Sequence, residues 1–209
     1  MENPRNIKWH HSTVTREQRE IQNGHKGLTI WFTGLSASGK STVANCLEEK
    51  LFKMGCHAMV LDGDNIRHGL NKNLGFSKED REENIRRIGE LAKLLTSKAI
   101  INIAAFISPF RADRAAARSL QAEGDFIEVF IKCPIDVCEK RDPKGLYVKA
   151  RAGIIKDFTG ISHPYEEPEN PELVVDTCLN DAERCADEII SYLRSSGKLL
   201  MRDALEATL

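Results

Sequence analysis

Gly34-Leu35-Ser36-Ala37-Ser38-Gly39-Lys40-Ser41 fits the pattern G-x-x-x-x-G-K-[ST] at every fixed position. The apolar run Leu28 to Phe32 precedes it, and Thr42 to Leu51 follows with the patterning of a helix. Strand, glycine loop and helix in that order are the setting a phosphate-binding loop requires. The glycines let the backbone wrap an anion with its N–H groups turned inward. The helix adds unpaired N–H groups and the positive end of its dipole. Gly34, Ser36, Ala37, Ser38, Gly39, Lys40, Ser41 and Thr42 are therefore expected to hold nucleotide phosphates. Within that set Lys40 would reach the β and γ phosphates, and the Ser41 hydroxyl would ligate Mg²⁺. The stretch implies a nucleoside triphosphate ligand.

Outward from this loop, strands and helices alternate. Gly27 to Thr33 reads as a strand buried on both faces, and the helix after the loop stops near Met54-Gly55. Cys56 to Leu61 is a second strand that delivers Asp62-Gly63-Asp64-Asn65 at its carboxyl end. Ligands of open parallel sheets sit at that edge, so these carboxylates belong beside the loop. Ser77 is a candidate N-cap for a helix with the apolar stripe Ile85, Ile88, Ala92, Leu95. One turn further back the stripe reaches Arg81, with Asn84 adjacent. Polar groups on a packed face are costly unless they meet a ligand or a cleft, which marks a site. Ile100 to Ile107 is the third strand, 111–122 a helix, Phe126 to Lys132 the fourth strand, Leu173 to Val175 the fifth, and 180–195 a last helix. The pattern predicts an α/β fold with one doubly wound parallel sheet of about five strands, of the P-loop nucleotide-kinase kind.

Around that body the sequence divides into a polar arm over 1–26, a domain over 27–196 and a tail over 197–209. The arm carries His10-His11, read as solvated, and Trp9, the one residue suited to anchor it. From 141 to 158 five basic residues stand against two acidic ones, so a basic lid is expected over about 141–160. Its charges also fit a solvated run.

Thirty Lys and Arg against 31 Asp and Glu give a net charge of −1, which offers no bulk attraction to nucleic acid or an anionic membrane. No apolar run approaches the roughly 20 residues a spanning helix needs, and Met1-Glu2-Asn3-Pro4 is unlike a signal peptide. The six cysteines, at 46, 56, 133, 138, 178 and 185, form no C-x-x-C pair, so neither zinc nor a disulfide framework is indicated. A cytoplasmic location is expected, with an organelle such as a plastid open if a transit peptide has been removed.

A GTPase would need the guanine-reading N-K-x-D, and Asn71-Lys72-Asn73-Leu74 lacks its aspartate. Asp142-Pro143-Lys144-Gly145 fits D-x-x-G but in the wrong order. Small-molecule kinases remain. The loop belongs with Leu61-Asp62-Gly63-Asp64-Asn65-Ile66-Arg67, Gly69-Leu70-Asn71, Leu74-Gly75-Phe76-Ser77, Asp80-Arg81 and Asn84-Ile85-Arg86-Arg87. Further along stand Phe106-Ile107-Ser108-Pro109, Arg141-Asp142-Pro143-Lys144-Gly145-Leu146-Tyr147 and Phe158-Thr159-Gly160-Ile161. Together these blocks resemble the adenylylsulfate (APS) kinase family over roughly 27–176.

The resemblance implies transfer of the ATP γ-phosphate to the 3′-hydroxyl of APS, giving 3′-phosphoadenosine 5′-phosphosulfate (PAPS), in a homodimer. It implies ATP and Mg²⁺ as cofactors, with Lys40, Asp64 and Ser108 in the chemistry. Asp62, ending an apolar strand, would join Ser41 at the metal. Asp64 would orient or deprotonate the acceptor hydroxyl, with a second place in the Mg²⁺ shell as the alternative. Asn65, Arg67, Arg81, Asn84, Ile107 and Lys156 would complete the APS site with Asp64 and Ser108, while Phe76 and Phe158 sandwich the adenine. Neither phenylalanine stands at an obvious core position in the sequence. Arg141 and Lys144 would contact ATP from the lid. Ser108 has been labelled a phosphoserine intermediate in this family, but a covalent step needs an activating base that the sequence does not place. A hydrogen-bonding role with direct in-line transfer is expected instead. Plant members carry a cysteine after Trp-His in the arm as part of a redox switch; Trp9-His10-His11-Ser12 has none.

Overall fold

The computed structural model describes residues 7–8, 10 and 12–199. Five strands, β1 (Leu28–Thr33), β2 (Ala58–Asp62), β3 (Ile101–Ala105), β4 (Phe126–Lys132) and β5 (Leu173–Asp176), form one parallel sheet in the order β2-β3-β1-β4-β5. The phosphate loop therefore leaves the central strand. All six residues of β1 are buried, as a strand with helices on both faces must be.

Alternation along β1 assigns the two halves of the core. Ile30 and Phe32 point to α2 (Lys40–Lys53) and α8 (Ala182–Ser195), where they meet Val43, Leu47, Leu51, Ile189 and Leu193. Trp31 points the other way, to Ile85 and Ile88 of α4 (Lys78–Thr96) and Ala117 of α5 (Arg111–Ser119). Each of these large apolar side chains contributes roughly 1.5–3 kcal/mol by leaving water. Ser77 caps α4 by accepting from the Asp80 N–H, as its sequence predicts.

Short helices appear where the sequence reading assigns no element: α3 (Gly63–His68), α6 (Ile135–Arg141) and α7 (Leu146–Arg151). Residues 15–26 also depart from the solvated arm. They hold α1 (Arg16–Asn23), opened by a Thr15/Gln18 capping box and closed by Gly24. Arg16 clasps the body, donating to both carboxylate oxygens of Asp125 and to the Gly27 carbonyl. His25 is fully buried and bridges to Leu199. Trp9 and His11 lie outside the described residues, and with them the suggested anchor and histidine pair; so do tail residues 200–209.

Candidate active site

The loop from Gly34 to Gly39 is held in a conformation few side chains allow. Ala37 has φ 59° and Gly39 φ 98°, both left-handed. A Cβ on Gly34 would stand 2.6 Å from the Ile131 carbonyl oxygen, so only glycine fits against β4 there. Gly39 is the N-cap of α2 and has no side chain to satisfy the first N–H groups, which stay available to an anion. Lys40 folds back over the loop, its Nζ donating to the carbonyls of Gly34 (2.9 Å) and Leu35 (2.6 Å). Burial pushes the Lys40 ammonium down to about 8. An arriving phosphate would replace two neutral acceptors with a charged one and favour the protonated form.

Ser41 and Thr42 follow on the exposed first turn. The Ser41 hydroxyl donates to Asp62 Oδ2 at 2.7 Å, joining the loop to the end of β2. The other oxygen, Asp62 Oδ1, caps α3 by accepting from the N–H groups of Asp64 (2.9 Å) and Asn65 (3.4 Å). A hydroxyl and one carboxylate suit Mg²⁺, which keeps waters and substrate phosphates in its other positions. Among the described residues no three His, Cys, Asp or Glu side chains gather into a metal cage.

Across from the loop, Lys144 forms an ion pair with Asp64. Both are solvent-exposed, so the pair is weak and easily exchanged. It brings the expected lid residue to the expected acceptor carboxylate. Arg141 is tied in differently: it donates to Thr177 Oγ1 (3.1 Å) and to the Thr177 carbonyl (2.6 Å). Thr177 Oγ1 in turn donates to the Ser38 carbonyl at 2.8 Å. Thr177, just past the end of β5, thus braces the phosphate loop, a role the sequence reading did not give it. Its place at the carboxyl edge of a strand was the available signal. Tyr147 also goes beyond its expected motif role, its hydroxyl donating to the Ser36 carbonyl at 3.0 Å.

The remaining expected residues make contacts of their own. Arg67 donates to the carbonyls of Leu74 and Gly75 and lies 4.5 Å from the Phe76 ring centre, a cation–π contact. Phe76 is otherwise exposed. Arg81, at the start of α4, donates to the Phe76 and Asp157 carbonyls, and so joins that helix to the 157–160 segment. Burial lowers both guanidinium pKa values without discharging either group. Asn84 is buried and accepts from Asn71 Nδ2 at 3.0 Å.

Phe158 corrects the expectation that it lies outside any core. It is buried and meets Tyr147 edge-to-face at 4.9 Å, in a small cluster with Cys133, Cys138 and Ala150. The Lys156 side chain is exposed, and its backbone carbonyl accepts from Ser162 Oγ.

Past β3, Ser108 holds a left-handed backbone (φ 38°). Its Oγ accepts from Trp31 Nε1 at 3.1 Å, and its carbonyl accepts from Arg114 at 2.7 Å. Arg114 is itself buried against Glu128, 2.6 Å away. Thr33 donates to the Ile107 carbonyl at 2.8 Å, fixing the turn on the central strand. Among the described residues no histidine or carboxylate is bonded to the Ser108 hydroxyl.

A phosphate loop on the central strand of a parallel β2-β3-β1-β4-β5 sheet, with helices on both faces, is the architecture of a P-loop kinase. The sequence profile of the adenylylsulphate kinase family matches residues 26–176, and the chain belongs to that family. It is 61% identical to the adenylyl-sulfate kinase of Prochlorococcus marinus over 90% of this chain and 94% of that one. Among solved structures, the Mycobacterium tuberculosis APS kinase CysC in complex with AMPPNP and APS superposes with a TM-score of 0.78. That match has 50% identity and covers 81% of this chain and 99% of that one. A hexameric APS kinase from Thiobacillus denitrificans is 34% identical with a TM-score of 0.65, covering 86% of this chain and 31% of the larger one.

Proposed function

We propose that this chain phosphorylates the 3′-hydroxyl of adenosine 5′-phosphosulfate with ATP, producing PAPS for sulfate activation, by direct in-line transfer. The observation that carries the reading is the meeting of Lys144 with Asp64 opposite the phosphate loop. In support of the reading, this pair joins the residue read as a lid cation to the residue read as the acceptor carboxylate. Transfer of a phosphoryl group is mostly positioning and charge neutralisation, and these residues offer both.

In this reading the loop N–H groups, Ser36 to Ser38 and Thr42 cradle the phosphates, with Lys40 turning from its loop carbonyls to the γ-phosphate. Mg²⁺ held at Ser41 and Asp62 would neutralise charge on the β and γ oxygens. Lys144 leaves Asp64 for the nucleotide phosphates, and Asp64 then accepts the proton of the APS hydroxyl. Arg141 contacts the nucleotide from the neighbouring side. Arg67, Arg81, Asn65, Asn84 and Lys156 hold the phosphosulfate and ribose, and Phe76 closes over the adenine. Phe158 faces the base only if its edge-to-face contact with Tyr147 opens as the lid moves. Ser108 and the Ile107 backbone hydrogen-bond APS. The catalytic body is residues 27–196 with a lid over 141–160, working as a cytoplasmic homodimer.

A coupled assay of ADP release tests the activity. APS should stimulate turnover many-fold, whereas nucleosides, gluconate and shikimate should not. Equal stimulation by any of these would overturn the assignment. A sizing column tests the dimer.

A further inference from the structure

Cys133 and Cys178 place their sulfurs 3.4 Å apart, and nothing in the proposed chemistry uses them. Cys133 follows the last residue of β4 and is buried; Cys178 lies two residues past β5 and is exposed. The strands pair in parallel through Lys132 and Asp176, so the two cysteines leave the sheet side by side. We propose that they are a redox-modification site: an intrachain disulfide forms reversibly between them and lowers the protein's affinity for ATP.

The geometry favours this pair. A disulfide sets its sulfurs at about 2.05 Å, so they need approach by only about 1.4 Å. The exposed partner is Cys178, on a turn where Asp176 Oδ1 accepts from the N–H groups of Cys178 (2.9 Å) and Leu179 (3.3 Å). The third thiol nearby, Cys138, is fully buried and bonded to the Cys133 carbonyl. An oxidant from solvent therefore reaches Cys178 first.

The step balances with a low-molecular-weight disulfide such as oxidised glutathione. The Cys178 thiolate attacks one sulfur, forming a mixed disulfide and releasing one glutathione thiolate. Cys133, losing its proton, then attacks the Cys178 sulfur, forms the protein disulfide and expels the second glutathione. Two protein thiols are oxidised and one glutathione disulfide is reduced. Local desolvation of its sulfur, with the neighbouring Cys133 thiol, pushes the Cys178 thiol up to about 11, and burial raises Cys133, so exchange is slow at neutral pH.

The consequence follows from the residue between Asp176 and Cys178. Thr177 carries the hydrogen bond to the Ser38 carbonyl and both bonds from Arg141. Drawing Cys178 towards β4 displaces Thr177, loosening the phosphate loop and the lid arginine together. The effect on ATP rests on the kinase reading; formation of the bond does not.

The test incubates the full chain with oxidised glutathione near pH ~8.5, where thiolate becomes more abundant. Peptide mass analysis under non-reducing conditions then follows, with kinetics before and after dithiothreitol. The expected result is a peptide linked through Cys133 and Cys178, absent from Cys178→Ser and Cys133→Ser. The KM for ATP should rise roughly fivefold, about one displaced hydrogen bond, with the KM for APS steady and full reversal by dithiothreitol. A stable glutathione adduct on Cys178 beside a free Cys133, or a Cys133–Cys138 link, would overturn the site. The expected link with an unchanged KM for ATP would overturn the coupling. Turnover of the reduced chain with APS reports on the kinase reading separately.

Discussion

Replacing Thr177 by alanine removes one methyl and one hydroxyl from a residue with no proposed contact to the reacting atoms. Its Oγ1 donates to the Ser38 carbonyl at 2.8 Å and accepts from Arg141 at 3.1 Å. The first bond is neutral and partly buried, worth about 1 kcal/mol. The second is charge-assisted but solvent-exposed, and Arg141 keeps its bond to the Thr177 carbonyl, so its loss adds a few tenths to about 1 kcal/mol. A total of about 1–2 kcal/mol corresponds to roughly a 5- to 30-fold loss in kcat/KM for ATP. The assay is the coupled ADP-release measurement with ATP titrated at saturating APS, beside a thermal melt to confirm folding. Thr177→Ser, which keeps the hydroxyl, should recover most of the loss. Kinetics for Thr177→Ala within twofold of the parent, or a serine variant as impaired as alanine, would refute the brace.

Asp64→Asn should keep the fold, because the carboxylate is exposed, and lower kcat by about 10²–10⁴-fold if Asp64 takes the acceptor proton; a loss in KM alone would argue for a binding role. Lys144→Ala should raise the KM for ATP and leave the melting temperature unchanged, since the ion pair it breaks is exposed; unaltered ATP kinetics would remove Lys144 from the lid. Ser108→Ala leaves the buried Trp31 N–H unpaired, costing about 1–3 kcal/mol in urea denaturation, yet measurable turnover should persist; abolished turnover with phosphoserine found in the parent would restore the covalent route. His25 is fully buried and accepts the His57 N–H at Nε2, so burial holds its pKa below the ordinary value. Its contribution is complete above about 6.5, the unfolded value, and is lost as pH falls from there through the lower folded one. His25→Gln should flatten that part of a pH–melting curve, and an unchanged slope would exclude His25 as its cause.

The five strands were legible because each carries a compact run of apolar residues, and β1 is apolar enough to need cover on both faces. The phosphate loop was legible because its chemistry dictates residue types at fixed spacing. Three helices, α3, α6 and α7, are six or seven residues long, too short for an apolar stripe to repeat, so periodicity passes over them. The α1 helix is nearly all polar, and its one signal was the Thr15-x-x-Gln18 capping pattern. The burial of Phe158 was not legible because it rests on an edge-to-face contact with Tyr147, eleven positions earlier on another element. The Arg114–Glu128 pair, which steadies the Ser108 turn, joins a helix to a strand and leaves no local trace.

The clasp of Arg16 on Asp125 and the bridge from His25 to Leu199 lie where β1 and β4 begin, at the rim opposite the phosphate loop. Residues 16–25 and Leu199 are therefore stitched to the blunt side of the sheet. That leaves the opposite rim, where the phosphate loop and Asp62 stand, clear of these fastenings, so nucleotide and acceptor can come and go without undoing them.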